Sequence, residues 1–279
     1  MITAEQLKGK IRNFSTQTKL PPQELLQMYL FERVLTRLSL SPYSKNFILK
    51  GGLLISSMIG IAERSTMDMD VTVTGINMDF QTITDIVKEI LAMDTGDGFI
   101  FEFKKIEQIR EDDDYFNFRI HFNAIAGKIN NPMKLDITTG DIITPMAVDY
   151  SYKSLFDNDL IPILAYNPET VVAEKYETIL RRNITNTRAR DFYDLFKFFR
   201  LFKDRLNKET LKAAVTNTAR KRNSLEEIND AQEIINEIGQ EEYIINLWNN
   251  YSSKNNYAKN ISFNEIISNL WEIEEYIRG

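Results

Sequence analysis

The sequence of 279 residues predicts an α+β fold, with a sheet and its flanking helices in residues 1–164 and a helical domain in residues 165–279. Strand-like alternation of apolar and polar residues is confined to the first half of the chain, whereas apolar residues recur at helical spacing from Pro168 onward. Hydrophobic residues make up 43% of the chain, which is enough for a sizeable core and argues against disorder.

The first half begins with a predicted helix over Gln23–Leu38, which follows a Pro-Pro pair and repeats apolar residues at helical spacing. The apolar segment from Leu53 reads as a second helix, directly after a Gly-Gly pair. The remaining predicted elements are a strand from Asp68, a helix over Phe80–Met93, and strands over Phe99–Ile109, Tyr115–Ile125 and Met133–Thr138.

The strand over Tyr115–Ile125 places aromatic and aliphatic residues on one side and polar residues, including the only histidine, His121, on the other. We expect His121 to form a hydrogen bond on the polar face rather than to take part in catalysis. The preceding Asp112–Asp114 is predicted to be a solvated turn, and Gly127–Pro132 a turn into the next strand.

In the second half, helices are predicted from Pro168 and over Ala189–Phe202. Further helices are expected around Ile228–Ile238, Tyr243–Tyr251 and Phe263–Ile277. Trp248 and Trp271 are expected to pack between helices rather than to stack on bases.

Asp68 and Asp70 are the strongest candidates for a functional site. Residues two apart in a strand point to the same side, so the two carboxylates would project together while Met69 packs behind them. A hard cation such as Mg²⁺ relieves their repulsion, because it takes oxygen ligands. An acid in an apolar strand is costly to bury unless it is paired or metal-bound, so Asp136 is the candidate third carboxylate.

The segment Lys50-Gly51-Gly52 follows an apolar run and opens the second helix. Glycines let a backbone approach a ligand closely, and unpaired N–H groups at a helix N-terminus bind phosphate. Either element alone is weak evidence for a functional site, since a Gly-Gly pair is usually only a turn and a solvated Asp-x-Asp sequence is common. Their order, with Arg64 between the glycines and the acids, is more informative.

Two separated blocks resemble the AbiEii/AbiGii toxin family of nucleotidyltransferases. The first runs from Leu30 through Gly51-Gly52 to Asp70, and the second comprises residues 172–182 and 187–195. The match is specific because two unrelated motifs agree over residues 30–195. The resemblance implies the mixed sheet of the DNA polymerase β-like nucleotidyltransferase superfamily and a toxin of a toxin–antitoxin or abortive-infection system, with its antitoxin encoded nearby.

The resemblance further implies Mg²⁺- or Mn²⁺-dependent transfer of a nucleoside monophosphate from a nucleoside triphosphate to RNA, which in some relatives is transfer RNA. Gly52 departs from the wider superfamily, which usually has serine there. Asp68, Asp70 and Asp136 are the expected metal ligands, and the resemblance implies that Lys175 and Asp191 lie beside them as catalytic residues. The sequence alone instead favours a structural role for Asp191 and Asp194, which could cap the helix start and pair with Arg188 or Arg190. The expected nucleotide-binding residues are Lys50, Gly51, Gly52, Arg64, Thr66, Arg182 and Asp194.

The net charge of -6 is unevenly distributed. Lys and Arg against Asp and Glu number 17 against 22 in residues 1–164, 14 against 7 in 165–222, and 3 against 11 in 223–279. The basic block is either a surface for RNA phosphates or a solvated helix face. It is densest at Arg181, Arg182, Arg188 and Arg190.

Composition excludes several classes of protein. The absence of cysteine excludes disulfides and thiolate metal sites. There is no signal-like apolar core in residues 1–19 and no apolar run of the roughly eighteen residues needed for a membrane helix, so we expect a soluble cytoplasmic protein. Walker-type loops and nucleophile-elbow sequences are also absent.

The rival hypotheses are a protein acceptor, a metal-dependent nuclease, and a catalytically silent nucleotide- or partner-binding module.

Overall fold

The computed structural model describes residues 3–109, 117–157 and 159–279, and it confirms the α+β class. The predicted Asp112–Asp114 turn lies outside the described residues. The strands are β1 (Phe47–Lys50), β2 (Met69–Val73), β3 (Ile100–Ile109), β4 (Asn117–Ala126), β5 (Ile129–Thr139), β6 (Val148–Lys153) and β7 (Leu160–Ala165). The α-helices are α1 (Ala4–Thr18), α2 (Pro22–Leu40), α3 (Gly51–Ile59), α4 (Phe80–Ala92), α5 (Pro168–Arg182), α6 (Ala189–Phe202), α7 (Lys208–Lys221), α8 (Leu225–Asn229), α9 (Ala231–Gln240), α10 (Glu242–Lys254) and α11 (Phe263–Arg278).

The strands form one mixed sheet in the order β3-β4-β5-β2-β1-β7-β6. Strand β2 is parallel to β5 and β1 is parallel to β7, whereas the other neighbours are antiparallel. Strands β6 and β7 were not predicted, because β6 is short and polar and β7 contains Pro162, a residue that weakens a strand assignment.

The predicted turn over Gly127–Pro132 is wrong in extent. The chain turns only at Gly127 and Lys128, and β5 already begins at Ile129. Asn131, which has a low strand propensity, is held in β5 by side-chain hydrogen bonds with Gln27 and Gln23 of α2.

The two faces of the sheet differ in character. Met69, Val71 and Leu135 lie on the apolar face and meet Val34 of α2 and Val87 of α4. The expected packing of Met69 behind the two acids is confirmed, and Val71 and Val73 of the same strand are buried with it. Residues between these on the same strands therefore project to the opposite, polar face.

The chain divides into two compact units. The first comprises Met1–Gly140 and Val148–Ala165, and the second comprises Asp141–Ala147 and Tyr166–Gly279. In the second unit, α5 packs on α6 and α7. The predicted helix at Ile228–Ile238 is two helices, α8 and α9. Trp248 is buried as expected, and its indole N–H donates to the Ile261 carbonyl over 3.1 Å. None of the helices in the described part of the chain is long and apolar enough to cross a membrane.

Candidate active site

A row of charged residues crosses the polar face of the sheet. Asp70 of β2 is in register with Lys50 of β1 on one side and with Asp136 of β5 on the other. Asp136 is in turn opposite Arg119 of β4, which is opposite Glu107 of β3. Cross-strand partners project to the same face, so these five side chains form a line in which two adjacent acids are flanked by two cations.

Arg119 and Asp136 form a bidentate ion pair. Arg119 Nε donates to Asp136 Oδ1 over 2.8 Å, and Nη2 donates to Oδ2 over 2.7 Å. The hydrogen bonds to Asp136 raise the pKa of the Arg119 guanidinium above its ordinary value. The sequence led us to expect a paired or metal-bound Asp136, and the structure supplies a pair. Arg119 was not predicted as a site residue, although it shares the polar side of its strand with His121.

The N-terminus of α3 lies against Asp70. Gly51, its first residue, has a φ of 65°, in the left-handed region that favours glycine. A Cβ atom placed on Gly51 would be 2.9 Å from Asp70 Cγ and would overlap Oδ2. Asp70 therefore has room for its carboxylate only because residue 51 has no side chain.

Gly52 is enclosed by Arg64 and Thr66. A Cβ atom placed on Gly52 would be 2.7 Å from Arg64 Nη2 and 2.8 Å from Thr66 Oγ1. Both side chains are buried. The space that a serine side chain would need at position 52 is thus already filled by a guanidinium and a hydroxyl group.

Asp68 directly precedes β2 and is exposed, whereas the sequence predicted that the strand would open at this residue. Its backbone is held by Thr66, whose hydroxyl accepts from the Asp68 N–H and donates to the Asp68 carbonyl, both over 3.2 Å. Asp68 is also close enough to Arg119 to contribute to the raised pKa of its guanidinium.

Asp68 and Asp70 offer the hard oxygen donors that Mg²⁺ prefers, so these two residues fit a divalent cation. Asp136 is engaged with Arg119. Within the described residues, no group of three acidic or histidine side chains is arranged to hold a metal ion. The assignment of all three carboxylates as metal ligands stays a prediction.

A second polar cluster lies beside this row. His121 Nε2 is 2.8 Å from Glu107 Oε1, which confirms the expected hydrogen-bonded role of the histidine. Lys105 donates to the other Glu107 oxygen over 2.5 Å. The hydrogen bonds from Lys105 and His121 lower the pKa of Glu107 to about 2.

In the second unit, Lys175 of α5 contacts two acids of α6. Lys175 Nζ is 2.5 Å from Asp191 Oδ1 and 3.2 Å from Asp194 Oδ2, and both carboxylates are buried. Arg188 Nε also lies 2.7 Å from Asp191 Oδ2. The structure therefore brings together three residues that the family resemblance nominated from separate parts of the chain. Arg182, which the resemblance also nominated, lies in the last turn of α5.

Part of the basic block is neutralised within the second unit. Glu177 is fully buried and accepts from Arg181 Nε over 2.7 Å and from Arg222 Nη1 over 2.6 Å. Arg222 Nη2 also lies 2.9 Å from Glu174. Arg181 and Arg190 are both exposed, but the bond to buried Glu177 gives Arg181 a structural role that the charge count did not reveal.

Similarity to known proteins is found both in the sequence and in the fold. The family model described as "Nucleotidyl transferase AbiEii toxin, Type IV TA system" matches residues 33–269. The fold is similar to JHP933 from Helicobacter pylori, with a TM-score of 0.50 and 15% identity over 92% of this chain and 94% of that one. It is also similar to a second H. pylori structure, assigned as a nucleotidyltransferase, with a TM-score of 0.51 and 16% identity over 92% and 97% of the two chains. Among curated proteins, none matches this sequence.

Proposed function

The chain belongs to the AbiEii nucleotidyltransferase toxin family of type IV toxin–antitoxin systems, and we propose that it transfers a nucleoside monophosphate from a nucleoside triphosphate to an RNA acceptor. The observation that carries the proposal is the in-register placement of Asp70 and Asp136 on parallel neighbouring strands, with the N-terminus of α3 at Asp70. Backbone N–H groups for phosphate and carboxylates for a cation thereby meet at one place.

In this proposal, Asp68 and Asp70 hold Mg²⁺ or Mn²⁺. When bound, the cation would neutralise charge on the triphosphate and on the oxygens of an in-line displacement. The turn at Gly51 and Gly52 receives the phosphates through the first N–H groups of α3, which have no intrahelical partners.

The remaining first-unit residues orient the reactants. Arg64 and Thr66 surround Gly52 and supply donor groups beside the phosphate-binding turn, and Lys50 adds a positive charge at the end of β1. Asp136 either binds a second cation or accepts the proton of the attacking hydroxyl group.

Lys175, Asp191, Asp194 and Arg182 are proposed as nucleotide-site residues of the second unit. Lys175 is held by two buried carboxylates, so its ammonium has a fixed position suited to contact a phosphate. Asp191 and Asp194 act by fixing that ammonium.

RNA is the proposed acceptor because residues 165–222 carry 14 Lys and Arg against 7 Asp and Glu, and this basic block includes exposed Arg190. Nucleoside triphosphates and RNA are cytoplasmic, and we propose that the protein acts there. Its proposed partner is an antitoxin encoded nearby, as the type IV toxin–antitoxin family implies.

The acceptor is tested by incubating the protein with each α-labelled nucleoside triphosphate, Mg²⁺ and total cellular RNA or protein. We expect label in RNA, and resolution by size would show whether transfer RNA carries it. Label in protein alone would support a protein acceptor. Fragments formed without nucleoside triphosphate would indicate a nuclease, and nucleotide binding without any product would indicate a silent module.

The role of the basic surface is tested by salt and by substitution. RNA affinity should fall steeply between low and physiological salt, because each phosphate contact releases counterions. Arg190→Gln should weaken RNA binding and leave nucleotide binding unchanged, with Arg12→Gln on α1 as the matched exposed control. Arg181→Gln is unsuitable alone, since it also removes a partner of buried Glu177. A flat salt response with unchanged binding by Arg190→Gln would contradict RNA guidance.

A further inference from the structure

We propose that Arg119 takes the place of a second divalent cation at Asp136, so that the site binds one cation, on Asp68 and Asp70. The inference rests on the proposed function and decides between the two roles left open for Asp136. It makes Arg119 a positioning residue that fixes the Asp136 carboxylate and neutralises it permanently.

The first argument is the geometry of the pair. Arg119 reaches both Asp136 oxygens with two parallel N–H···O bonds of 2.8 and 2.7 Å. Such a fork fixes the plane of the carboxylate as well as its charge. Among the described residues, these two bonds leave one lone pair on each oxygen, but a divalent cation bound there would lie beside a guanidinium and be repelled by it.

The second argument is what the neighbouring strands offer to Arg119. Its in-register partner on β3 is Glu107, an alternative carboxylate. Glu107 is already bonded by Lys105 and by His121. Because Lys105 and His121 already occupy the Glu107 carboxylate, Arg119 is directed to Asp136.

The third argument is electrostatic. Asp70 and Asp136 are adjacent across the parallel β2–β5 pair, and two neighbouring like charges are unfavourable. Arginine stays charged at every physiological pH and does not dissociate, unlike a cation from solution. The pair is only partly exposed, with 34% of the Arg119 and 19% of the Asp136 side chain accessible, so solvent does not fully screen it.

The inferred chemistry follows from this arrangement. With its orientation fixed, a remaining lone pair of Asp136 can accept a hydrogen bond from the attacking hydroxyl group and then its proton, as the hydroxyl oxygen bonds to the α-phosphorus and pyrophosphate leaves. Asp136 then aligns the acceptor, and the phosphates are neutralised by one cation together with Lys50 and the N-terminus of α3.

The test counts bound Mn²⁺ by electron paramagnetic resonance, using the full chain and Mn²⁺ alone. We expect one Mn²⁺ per wild-type chain, none in Asp70→Asn, and still one in Asp136→Asn. The Arg119→Gln variant, in which Asp136 loses its partner, should bind two Mn²⁺ ions per chain. The double variant Arg119→Gln/Asp136→Asn should again bind one. Lys104→Gln, which removes an exposed cation on β3, should bind one.

Activity gives a second readout. Arg119→Gln should lower kcat about 100-fold with little change in the KM for nucleoside triphosphate, since misplacing a reacting group by about 1 Å has an effect of that size. Arg119→Lys keeps the charge but not the fork and should recover part of kcat.

Two Mn²⁺ in the wild-type chain, with one lost in Asp136→Asn, would overturn the inference. So would a single Mn²⁺ in a folded Arg119→Gln chain. If Arg119→Gln fails to fold, the Mn²⁺ counts of the wild-type chain and of Asp136→Asn still decide between one cation site and two. A normal Mn²⁺ count without any nucleotide transfer would contradict the proposed function and leave the inference standing.

Discussion

The carboxylate of Asp70 fills the space where a side chain on Gly51 would begin, at the point where β1 becomes α3. The contact joins the two halves of the sequence motif, the glycine turn and the Asp-x-Asp pair, which are separated by a helix and a loop. A side chain at residue 51 would occupy the position of the carboxylate. Residue 51 must therefore be glycine for two reasons: its backbone is in the left-handed region, and the Asp70 carboxylate occupies the space that a side chain would need.

Gly51→Ala should abolish nucleotide transfer, because the added methyl group overlaps Asp70 Oδ2 and displaces a proposed metal ligand. It should also destabilise the fold by about 1–2 kcal/mol through the left-handed backbone alone. The control is Gly96→Ala, whose φ of 68° matches the 65° of Gly51 but whose Cβ would meet nothing within 4 Å. Equal transfer rates for the two variants would contradict the assignment.

Gly52→Ser should lower nucleotide affinity, although serine is the usual residue of the wider superfamily. The serine Cβ would meet Arg64 Nη2 and Thr66 Oγ1 below 3 Å, and both of these side chains are buried. Nucleotide binding measured by calorimetry should weaken at least tenfold, corresponding to about 1.4 kcal/mol.

The matched control for Gly52→Ser is Gly9→Ser in α1, where the new side chain meets nothing within 4 Å. Nucleotide binding by this variant should equal that of the wild-type chain. Tighter nucleotide binding by Gly52→Ser would show that Arg64 and Thr66 do not fill the role of the serine.

Glu32 gives the fold a pH dependence. The side chain is buried, and burial raises the pKa of Glu32 to about 8 from an ordinary value of 4.5. The folded state thus holds this proton between about pH 5 and 8, where the unfolded chain releases it. Because the folded state binds more protons in that window, the contribution of Glu32 to the free energy of unfolding falls as pH rises.

Glu32→Gln should remove this part of the pH dependence, since the amide oxygen can still accept the 2.7 Å hydrogen bond from the Leu155 N–H. The free energy of unfolding, measured in urea at pH 5.5, 7 and 8.5, should fall less with rising pH in Glu32→Gln than in the wild-type chain. Glu5→Gln, at an exposed position of α1, should follow the wild-type chain. Parallel pH profiles for all three proteins would contradict a buried, protonated Glu32.

The local motifs could be predicted from the sequence because they depend on neighbours in the chain. Asp70 with Met69 behind it follows from strand periodicity, and Gly51 with α3 follows from the glycine–helix junction. The Arg119–Asp136 pair could not be predicted, since it depends on the β4–β5 register. A shift of one residue in that register would turn Arg119 to the other face of the sheet.

The basic block shows a second limit of sequence reasoning. Counting charges along the chain treated Arg181 as available to RNA, but buried Glu177 accepts its Nε–H and also binds Arg222 from 45 residues away. Tertiary contacts of this kind neutralise charge without leaving any pattern in the sequence. Exposed Arg190 is consequently the better probe of RNA binding.

The most direct test of the proposed active site measures two products of the same reaction, the α-label transferred to RNA and the pyrophosphate released. It compares the wild-type chain with Asp68→Asn and Asp70→Asn. Wild-type protein should give equal amounts of both products. Each variant should give neither while keeping the wild-type circular dichroism spectrum, and Asp149→Asn, an exposed control on β6, should match the wild-type protein. Undiminished transfer by both Asp68→Asn and Asp70→Asn would contradict the assignment of the active site to the polar face of the sheet.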